Sequence, residues 1–219
     1  MTLVRLRKAV VAAEGWWFDW RRHVRTGGYL PLDGLTLAGG AKPGHEYLAV
    51  RPRGARAALA DLPLRNHAEY AFVDLGSGKG RMLFLAAEYP FRRITGVELA
   101  RELHDAAVQN IRSYRSPKQR CRVIESIYMD AAEYLFPDPP LVISLFNPFG
   151  PGVLREVLDH LNASAAAHPR EIVLILLNPE AAHVVDTDPH FRVHKKTRSY
   201  NIYQRQSTCY DSETFPGVN

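Results

Sequence analysis

Tyr70-Ala71-Phe72-Val73-Asp74-Leu75-Gly76-Ser77-Gly78-Lys79-Gly80-Arg81 is the stretch that decides the fold. Ala71, Phe72, Val73 and Leu75 make a mostly apolar run with no polar alternation, the pattern of a strand covered on both faces. Glycines then stand at 76, 78 and 80. They let the backbone turn sharply and let a ligand approach with no Cβ in the way. A helix starting near Gly78 or Lys79 would aim its free N–H groups at that ligand. Strand, turn and helix together predict a nucleotide-type site at the carboxyl end of a central parallel strand.

Spacing narrows the ligand. A dinucleotide fingerprint, G-x-G-x-x-G/A, puts its third small residue at position 81, where this chain has Arg. A phosphate loop needs a Lys followed by Ser or Thr, and Lys79 is followed by Gly80. Asp74 adds a carboxylate ahead of the turn, which repels phosphate but suits an amino group or a hydrogen-bonding backbone. The pattern D-x-G-x-G-x-G from Asp74 to Gly80 resembles the first motif of class I S-adenosylmethionine-dependent methyltransferases.

A length of 219 residues fits one domain with a full core, with or without an N-terminal extension. At 46% hydrophobic and 23% charged residues, the composition is that of an ordinary globular protein. No apolar run approaches the roughly 18 residues of a membrane span, so no membrane partner is expected. Arg5, Arg7 and Lys8 precede an apolar stretch to Ala13. Glu14, the tryptophans and Asp19 follow without a small-residue cleavage site, so a signal peptide is not expected. Cys121 and Cys209 make neither a disulfide framework nor a zinc cluster, and a cytoplasmic location is the expectation. The net charge of +5 permits an anionic partner without requiring one. Its denser clusters, Arg21-Arg22-His23 with Arg25 and His194-Lys195-Lys196 with Arg198, read as solvated faces.

Residues 3–24 read as a helix in which Leu6, Val10, Ala13, Trp17 and Trp20 form one apolar stripe. Trp16, Trp17, Phe18 and Trp20 are expected to clamp that helix onto the core, with a substrate or partner surface as the alternative. Gly27-Gly28 stops it, and the chain to residue 44 reads as loop. A helical pattern resumes over 46–62, although Pro52 must end or kink any helix begun before it. Strands over 71–75, 92–99, 121–128, 141–147 and 171–178 then alternate with helices over 81–89, 100–114 and 152–167. Residues 190–206 read as an antiparallel pair broken near Arg198–Ser199, and 207–219 as a loose tail. The prediction is an α/β fold: a doubly wound, mostly parallel seven-stranded sheet with helices on both faces. It has an antiparallel C-terminal edge and an N-terminal helical extension. The expected division is 1–66 for the extension and a cofactor or substrate lid, 67–206 for the core, and 207–219 for the tail.

Open parallel sheets bind ligands beyond the carboxyl ends of their strands. The second strand ends at Glu98, 24 residues after Asp74, where a carboxylate can accept from both ribose hydroxyls. The third is followed by Asp130, which can accept from an adenine amino group or simply cap a helix. Ile127, Tyr128 or Met129 would lie against the ring. The fourth strand runs into Asn147-Pro148-Phe149-Gly150. Pro148 keeps position 147 out of helical geometry. The Asn147 side-chain oxygen could accept from an amino nitrogen being methylated while Phe149 stacks on the substrate. The alternative is an Asx turn with a buried Phe.

The order of glycine motif, ribose acid, adenine-side acid and fourth-strand motif, from about residue 70 to 180, resembles the class I methyltransferase superfamily. The chain looks most like small bacterial enzymes with Asp-Leu-Gly-Ser-Gly-Lys-Gly-Arg and Leu-Phe-Asn-Pro-Phe-Gly signatures. Their Phe-Asp-Arg-Arg-like opening segment is seen here as Phe18-Asp19-Trp20-Arg21-Arg22-His23, so the resemblance spans about 17 to 206. More distantly it is similar to non-SET histone-lysine methyltransferases, where Asn147 and Phe149 match an Asn-Asn-Phe-type motif. The resemblance implies S-adenosylmethionine as cofactor. It implies cofactor contacts at Asp74, Gly76, Ser77, Gly78, Gly80, Arg81, Glu98, Leu99, Tyr128, Met129, Asp130 and Asn147. Asn147, Phe149 and Tyr47 would surround the acceptor.

One departure bears on the cofactor pocket and one on the substrate. Relatives often carry Tyr-x-Pro-Ser/Thr before the first strand, where this chain has His45-Glu46-Tyr47-Leu48. The fourth-strand tetrad also differs from the Asn-Pro-Pro-Tyr of adenine-N6 and glutamine-N5 methyltransferases. The expectation is methyl transfer to nitrogen on a protein or small molecule. Nucleic acid has only the modest basic balance behind it. The alternatives are an NAD(P)-dependent oxidoreductase and a catalytically silent S-adenosylmethionine-binding protein. Histidines and carboxylates show no metal-ligand spacing. A monomer or homodimer is expected.

Overall fold

The computed structural model describes residues 3–28, 35–38, 47–146 and 150–206, residues 3–9 by their helical backbone alone. Seven strands form one sheet: β1 (Ala71–Leu75), β2 (Arg93–Glu98), β3 (Ile124–Tyr128), β4 (Leu141–Phe146), β5 (Ile172–Leu177), β6 (Phe191–Lys196) and β7 (Tyr200–Arg205). Their order across the sheet is β3-β2-β1-β4-β5-β7-β6. β1 to β5 are mutually parallel, and β7 runs antiparallel to both β5 and β6. The order reverses between β1, which neighbours β2, and β4, so a crevice opens beyond their carboxyl ends.

Coverage on both faces explains the apolar runs. Along β5, Val173, Ile175 and Leu177 enter one core, and Ile172, Leu174 and Leu176 enter the other. The first core packs under α1 (Leu3–Arg22), α2 (Pro52–Ala60) and α3 (Arg81–Ala86), through Phe18, Leu59 and Phe84. The second packs under α5 (Pro151–Ala167) and α6 (Ala182–Asp186), through Leu158 and Val184. α4 (Arg101–Ser113) joins β2 to β3. This is the predicted architecture, with the predicted antiparallel edge and N-terminal helix.

Several boundaries differ, each for a physical reason. α2 begins at Pro52, because proline holds Arg51 extended (φ −74°, ψ 123°) and suits the first helical position itself. Residues 47–50 are therefore not helical. β3 is shorter than 121–128, since the Cys121 and Arg120 amides donate to the Ala87 carbonyl at 3.2 and 2.7 Å and hold that segment off the ladder. α6 spans only five residues, too few for a periodic signal.

The larger correction concerns α1. Trp16, Trp17 and Trp20 do not clamp the helix to the core; they are 64%, 51% and 59% exposed, and Val10 is 57% exposed. Phe18 takes that role at 2% exposure. The guanidinium of Arg22 lies 4.4 Å from the Phe18 ring centroid, and those of Arg81 and Arg56 lie 5.6 and 6.0 Å away. Arg22 and Arg56 both pair with Glu88. Of the predicted loop, 29–34 and 39–44 lie outside the described residues, as do 45–46 and the tail 207–219.

Candidate active site

The turn after β1 takes its shape from three left-handed glycines, Gly76, Gly78 and Gly80, with φ of 74°, 54° and 89°. The Gly76 and Ser77 amides donate to the Val97 carbonyl at 2.8 and 3.1 Å, which fixes the turn against β2. That contact needs Gly96: a Cβ there would lie 2.6 Å from Ser77 Oγ and 2.9 Å from Leu83 Cδ1. Gly78 is constrained from the other side. A Cβ at 78 would lie 2.2 Å from Tyr47 Cε2, so the Tyr47 ring rests directly on the turn.

Two buried carboxylates face this backbone. Glu98 Oε2 accepts from the Gly78 amide at 2.7 Å, and Oε1 accepts from the Ala100 amide at 2.9 Å. Burial pushes the Glu98 carboxyl above its ordinary pKa, opposed by its bonds from the Ala100, Gly78 and Leu99 amides. Burial likewise drives Asp74 up to about 7; the Ser144 hydroxyl opposes the shift and the Glu98 charge adds to it. Ser77 Oγ is buried with no hydrogen-bond partner among the described residues. The centre therefore combines an orphaned hydroxyl with two acids, and one of its amides is already committed to a carboxylate. A phosphate would meet charge repulsion here, whereas an amino group or a diol would meet acceptors.

The cations of the turn are drawn aside. Lys79 Nζ donates to the Gly27 carbonyl at 3.0 Å and stands 5.1 Å from the Tyr47 ring centroid. Arg81 is 6% exposed and donates to Thr26 Oγ1 (2.6 Å), the Val50 carbonyl (3.2 Å) and Asp19 Oδ1 (3.4 Å). Its guanidinium thus faces α1 and the 26–27 segment. Asp19 in turn accepts from the Thr26 amide and hydroxyl at 2.8 and 2.5 Å and from the Gly27 amide at 2.8 Å. Asn110 of α4 completes the latch, accepting from the Arg25 amide (2.7 Å) and donating to the Arg25 and Lys79 carbonyls (3.2 and 3.0 Å). Asp19, Thr26 and Asn110 were not among the predicted site residues. Only Asp19 had a signal, as part of the Phe18–His23 segment.

Tyr47 lies against the glycine turn, with its hydroxyl donating to the Thr26 carbonyl at 2.7 Å. Burial raises its pKa far above that of an ordinary phenol, so it is neutral at physiological pH and is not a proton acceptor there. Glu98 and Tyr128 are register partners on β2 and β3. The Met129 amide donates to the Glu98 carbonyl at 3.0 Å. Asp130 does cap a helical turn, accepting from the Ala132 amide at 2.9 Å. Residues 35–38 cross the end of β2: Leu37 bridges Ala100, and the Ala38 amide donates to the Leu99 carbonyl at 3.0 Å. Tyr128 Oη donates to the Thr36 carbonyl at 3.3 Å, and Arg101 stacks 4.0 Å from the Tyr128 ring centroid. Asp74, the glycine turn, Glu98, Leu99 and residues 128–130 therefore sit on three neighbouring strand ends. Asn147, Pro148 and Phe149 lie outside the described residues. Among those described, no three His, Cys, Asp or Glu side chains are grouped to hold a metal.

The strand order and the glycine turn at its centre define a class I methyltransferase-like fold. No family model matches the sequence, and no curated protein matches it significantly. Solved structures do resemble it. TrmN from Thermus thermophilus superposes with a TM-score of 0.51 at 20% identity, over 72% of this chain and 49% of its own. A predicted N6-adenine-specific DNA methylase from Listeria monocytogenes gives 0.52 at 16% identity, over 80% of this chain and 55% of its own. The present chain thus spans about half the length of those two proteins. A precorrin-6y C5,15-methyltransferase from Geobacter metallireducens gives 0.51 at 18% identity, covering 80% of this chain and 95% of its own. At these identities the likeness is one of fold.

Proposed function

We propose that the chain is an S-adenosylmethionine-dependent methyltransferase acting on a nitrogen acceptor carried by a protein or a small molecule. The observation that carries the reading is the Gly78 amide bonded to the buried Glu98 carboxylate, with Asp74 beneath the same turn. A pyrophosphate site needs that amide free, whereas an acid at the end of β2 is common to dinucleotide folds as well. This weighs against the dinucleotide alternative and for a ligand with a ribose diol and an amino group. Structures of similar fold that are named as methylases or methyltransferases support the same choice.

In this reading Gly76, Ser77, Gly78 and Gly80 form the cradle, and the orphaned Ser77 hydroxyl fits it to a polar ligand. Glu98 holds the ribose, Leu99 and residues 128–130 flank the adenine, and Asp74 with Asn147 bounds the methionine end. The cofactor, when bound, supplies an already electrophilic methyl carbon. What remains for the chain is to align the acceptor nitrogen and exclude water. Asn147 would accept from the acceptor's N–H, Phe149 would stack on it, and Tyr47 would wall the cradle as a neutral phenol. Arg81 would act on the cofactor through the turn it braces. Residues 67–206 form the catalytic core, and 1–66 brace and cover it.

Calorimetric titration of S-adenosylmethionine and S-adenosylhomocysteine tests the reading. Wild type should bind in the micromolar range. Glu98→Gln, which keeps a backbone acceptor but drops the charge, should bind at least about tenfold more weakly, the loss of one charge-assisted contact. A well-folded wild type that ignores both ligands but binds NADH in a fluorescence titration would overturn it.

A further inference from the structure

We propose that the outer face of α1, together with the basic connection from α4 to β3, docks this protein on an anionic lipid bilayer. The stripe read from sequence does form, but it points outward. Val10, Ala13, Trp16, Trp17 and Trp20 share one side of α1 and all are exposed. The opposite side carries the buried Gly15, Phe18 and Arg22. Trp16 stacks on Trp20 with centroids 6.1 Å apart, and Trp17 leans on Trp20 at 5.2 Å, so the three indoles make one continuous patch. A cluster of this kind on a monomer's surface marks an interaction site.

Charge selects the partner. Arg21 lies 5.4 Å from the Trp17 ring centroid. Of the acids described on the helix, Glu14 accepts from the Arg53 amide at an exposed contact, and Asp19 is turned inward to Arg81. The Arg115 amide donates to the Arg22 carbonyl at 3.0 Å, which sets the 112–122 connection against the end of α1. That connection carries exposed Arg112, Arg115, Lys118, Arg120 and Arg122, contains no acid, and makes no ion pair among the described residues. A second copy of the chain would bring like charges together, so an anionic partner is favoured.

The shape of the patch selects a bilayer over nucleic acid. Single strands stack on open aromatic faces. Here the indoles pack on one another and beside Arg21, and the stripe continues through the aliphatic Val10 and Ala13. Indoles, aliphatic side chains and arginines on one outward helix face suit the headgroup boundary, where tryptophan settles and each cation gains from anionic lipid. No described helix is long and apolar enough to cross a membrane, so the contact is peripheral. The 112–122 connection enters β3 at its amino end, whereas the glycine turn leaves β1 at its carboxyl end. The docking proposal does not depend on the methyl-transfer reading.

The chain's three tryptophans are all in this patch, so selectively excited tryptophan emission reports on it alone. Full-length protein is titrated with vesicles of phosphatidylcholine containing roughly 30% phosphatidylglycerol, and with pure phosphatidylcholine, at low and high salt. The expected result is a blue shift and co-sedimentation with the anionic vesicles only, weakened at least about tenfold by high salt. Trp16→Ser/Trp20→Ser should cut partitioning at least about tenfold, and Arg115→Gln/Lys118→Gln/Arg120→Gln should do likewise, with melting temperatures unchanged because all these side chains are exposed. Absence of binding, equal binding to both vesicle types, or undiminished binding by either variant overturns the proposal. So does a dimer dispersed by the tryptophan variant, or single-stranded RNA binding lost in it without any vesicle binding.

Discussion

Arg81→Met isolates what holds the glycine turn in place. Methionine keeps an apolar stem of similar reach but removes every donor. The lost contacts are those to Thr26 Oγ1, the Val50 carbonyl and Asp19, at 2.6, 3.2 and 3.4 Å. Side-chain exposure of 6% for Arg81 and 15% for Asp19 leaves little water to replace them. A hydrogen bond to a charged group contributes about 1.5–3 kcal/mol, and removing one member of a buried pair costs about 3–5 kcal/mol. Those figures overlap here, since the stranded carboxylate is part of both. Asp19 also keeps its bonds from Thr26 and Gly27, so the lower end, about 3 kcal/mol, is the expected loss.

Urea unfolding followed by circular dichroism measures it, as a lower midpoint at unchanged slope. Asp19→Asn in the Arg81→Met background should recover about 1–2 kcal/mol, because it discharges the stranded acid while keeping an acceptor for the 26–27 amides. A loss under about 1 kcal/mol would show that the pair is effectively solvated. Strictly additive effects of the two substitutions would show that they do not act as a unit. Either result would refute the role assigned to Arg81.

Asp74 makes stability depend on pH with a definite sign. Its folded carboxyl titrates at about 7 rather than near its ordinary 3.8, so between those values the native state binds the extra proton and stability falls as pH rises. The whole shift corresponds to at most about 4 kcal/mol, fully lost above pH 7. Asp74→Asn should flatten most of the slope, leaving a residue of the same sign from Glu98, and parallel wild-type and variant profiles of urea midpoint against pH would contradict this. Gly78→Ala should cost more than about 2 kcal/mol, because φ is +54° and its Cβ would strike the Tyr47 ring. Gly78→Ala/Tyr47→Ala should recover part of that loss in the same unfolding assay; no recovery would place the clash elsewhere.

The sheet was legible because its strands are covered on both faces. β1, β4 and β5 are buried almost from end to end and apolar except for Asp74 and Ser144, and a run of that kind between turn signals has few other readings. The glycine turn and its flanking acids were legible for the same local reason. What could not be read was direction. Three-and-four spacing shows that Val10, Ala13, Trp17 and Trp20 share a face, but which way that face points is decided by contacts made far along the chain. Glu14 meets Arg53, Arg22 meets Glu88, and Phe18 fills the core between them. Those polar contacts turn the tryptophans outward against the usual preference. Arg81 shows the same limit: its motif places it beside a ligand, yet its guanidinium is claimed by residues 55 and 62 positions earlier. Asn110, one polar residue on an ordinary helix, carried no signal.

These long-range contacts change what the first 66 residues are. By topology they precede the sheet and could be taken as an appendage. Energetically they are one wall of the turn. β2 holds the turn from one side, through Val97 and Glu98. The 24–28 segment holds it from the other, through Thr26 to Arg81 and Gly27 to Lys79, while Tyr47 lies across the top and ties back to Thr26. Without α1 and that segment Lys79 would lose the Gly27 carbonyl, and Arg81 would lose Thr26 and Asp19. The N-terminal segment thus holds both cations of the turn on the side away from β2.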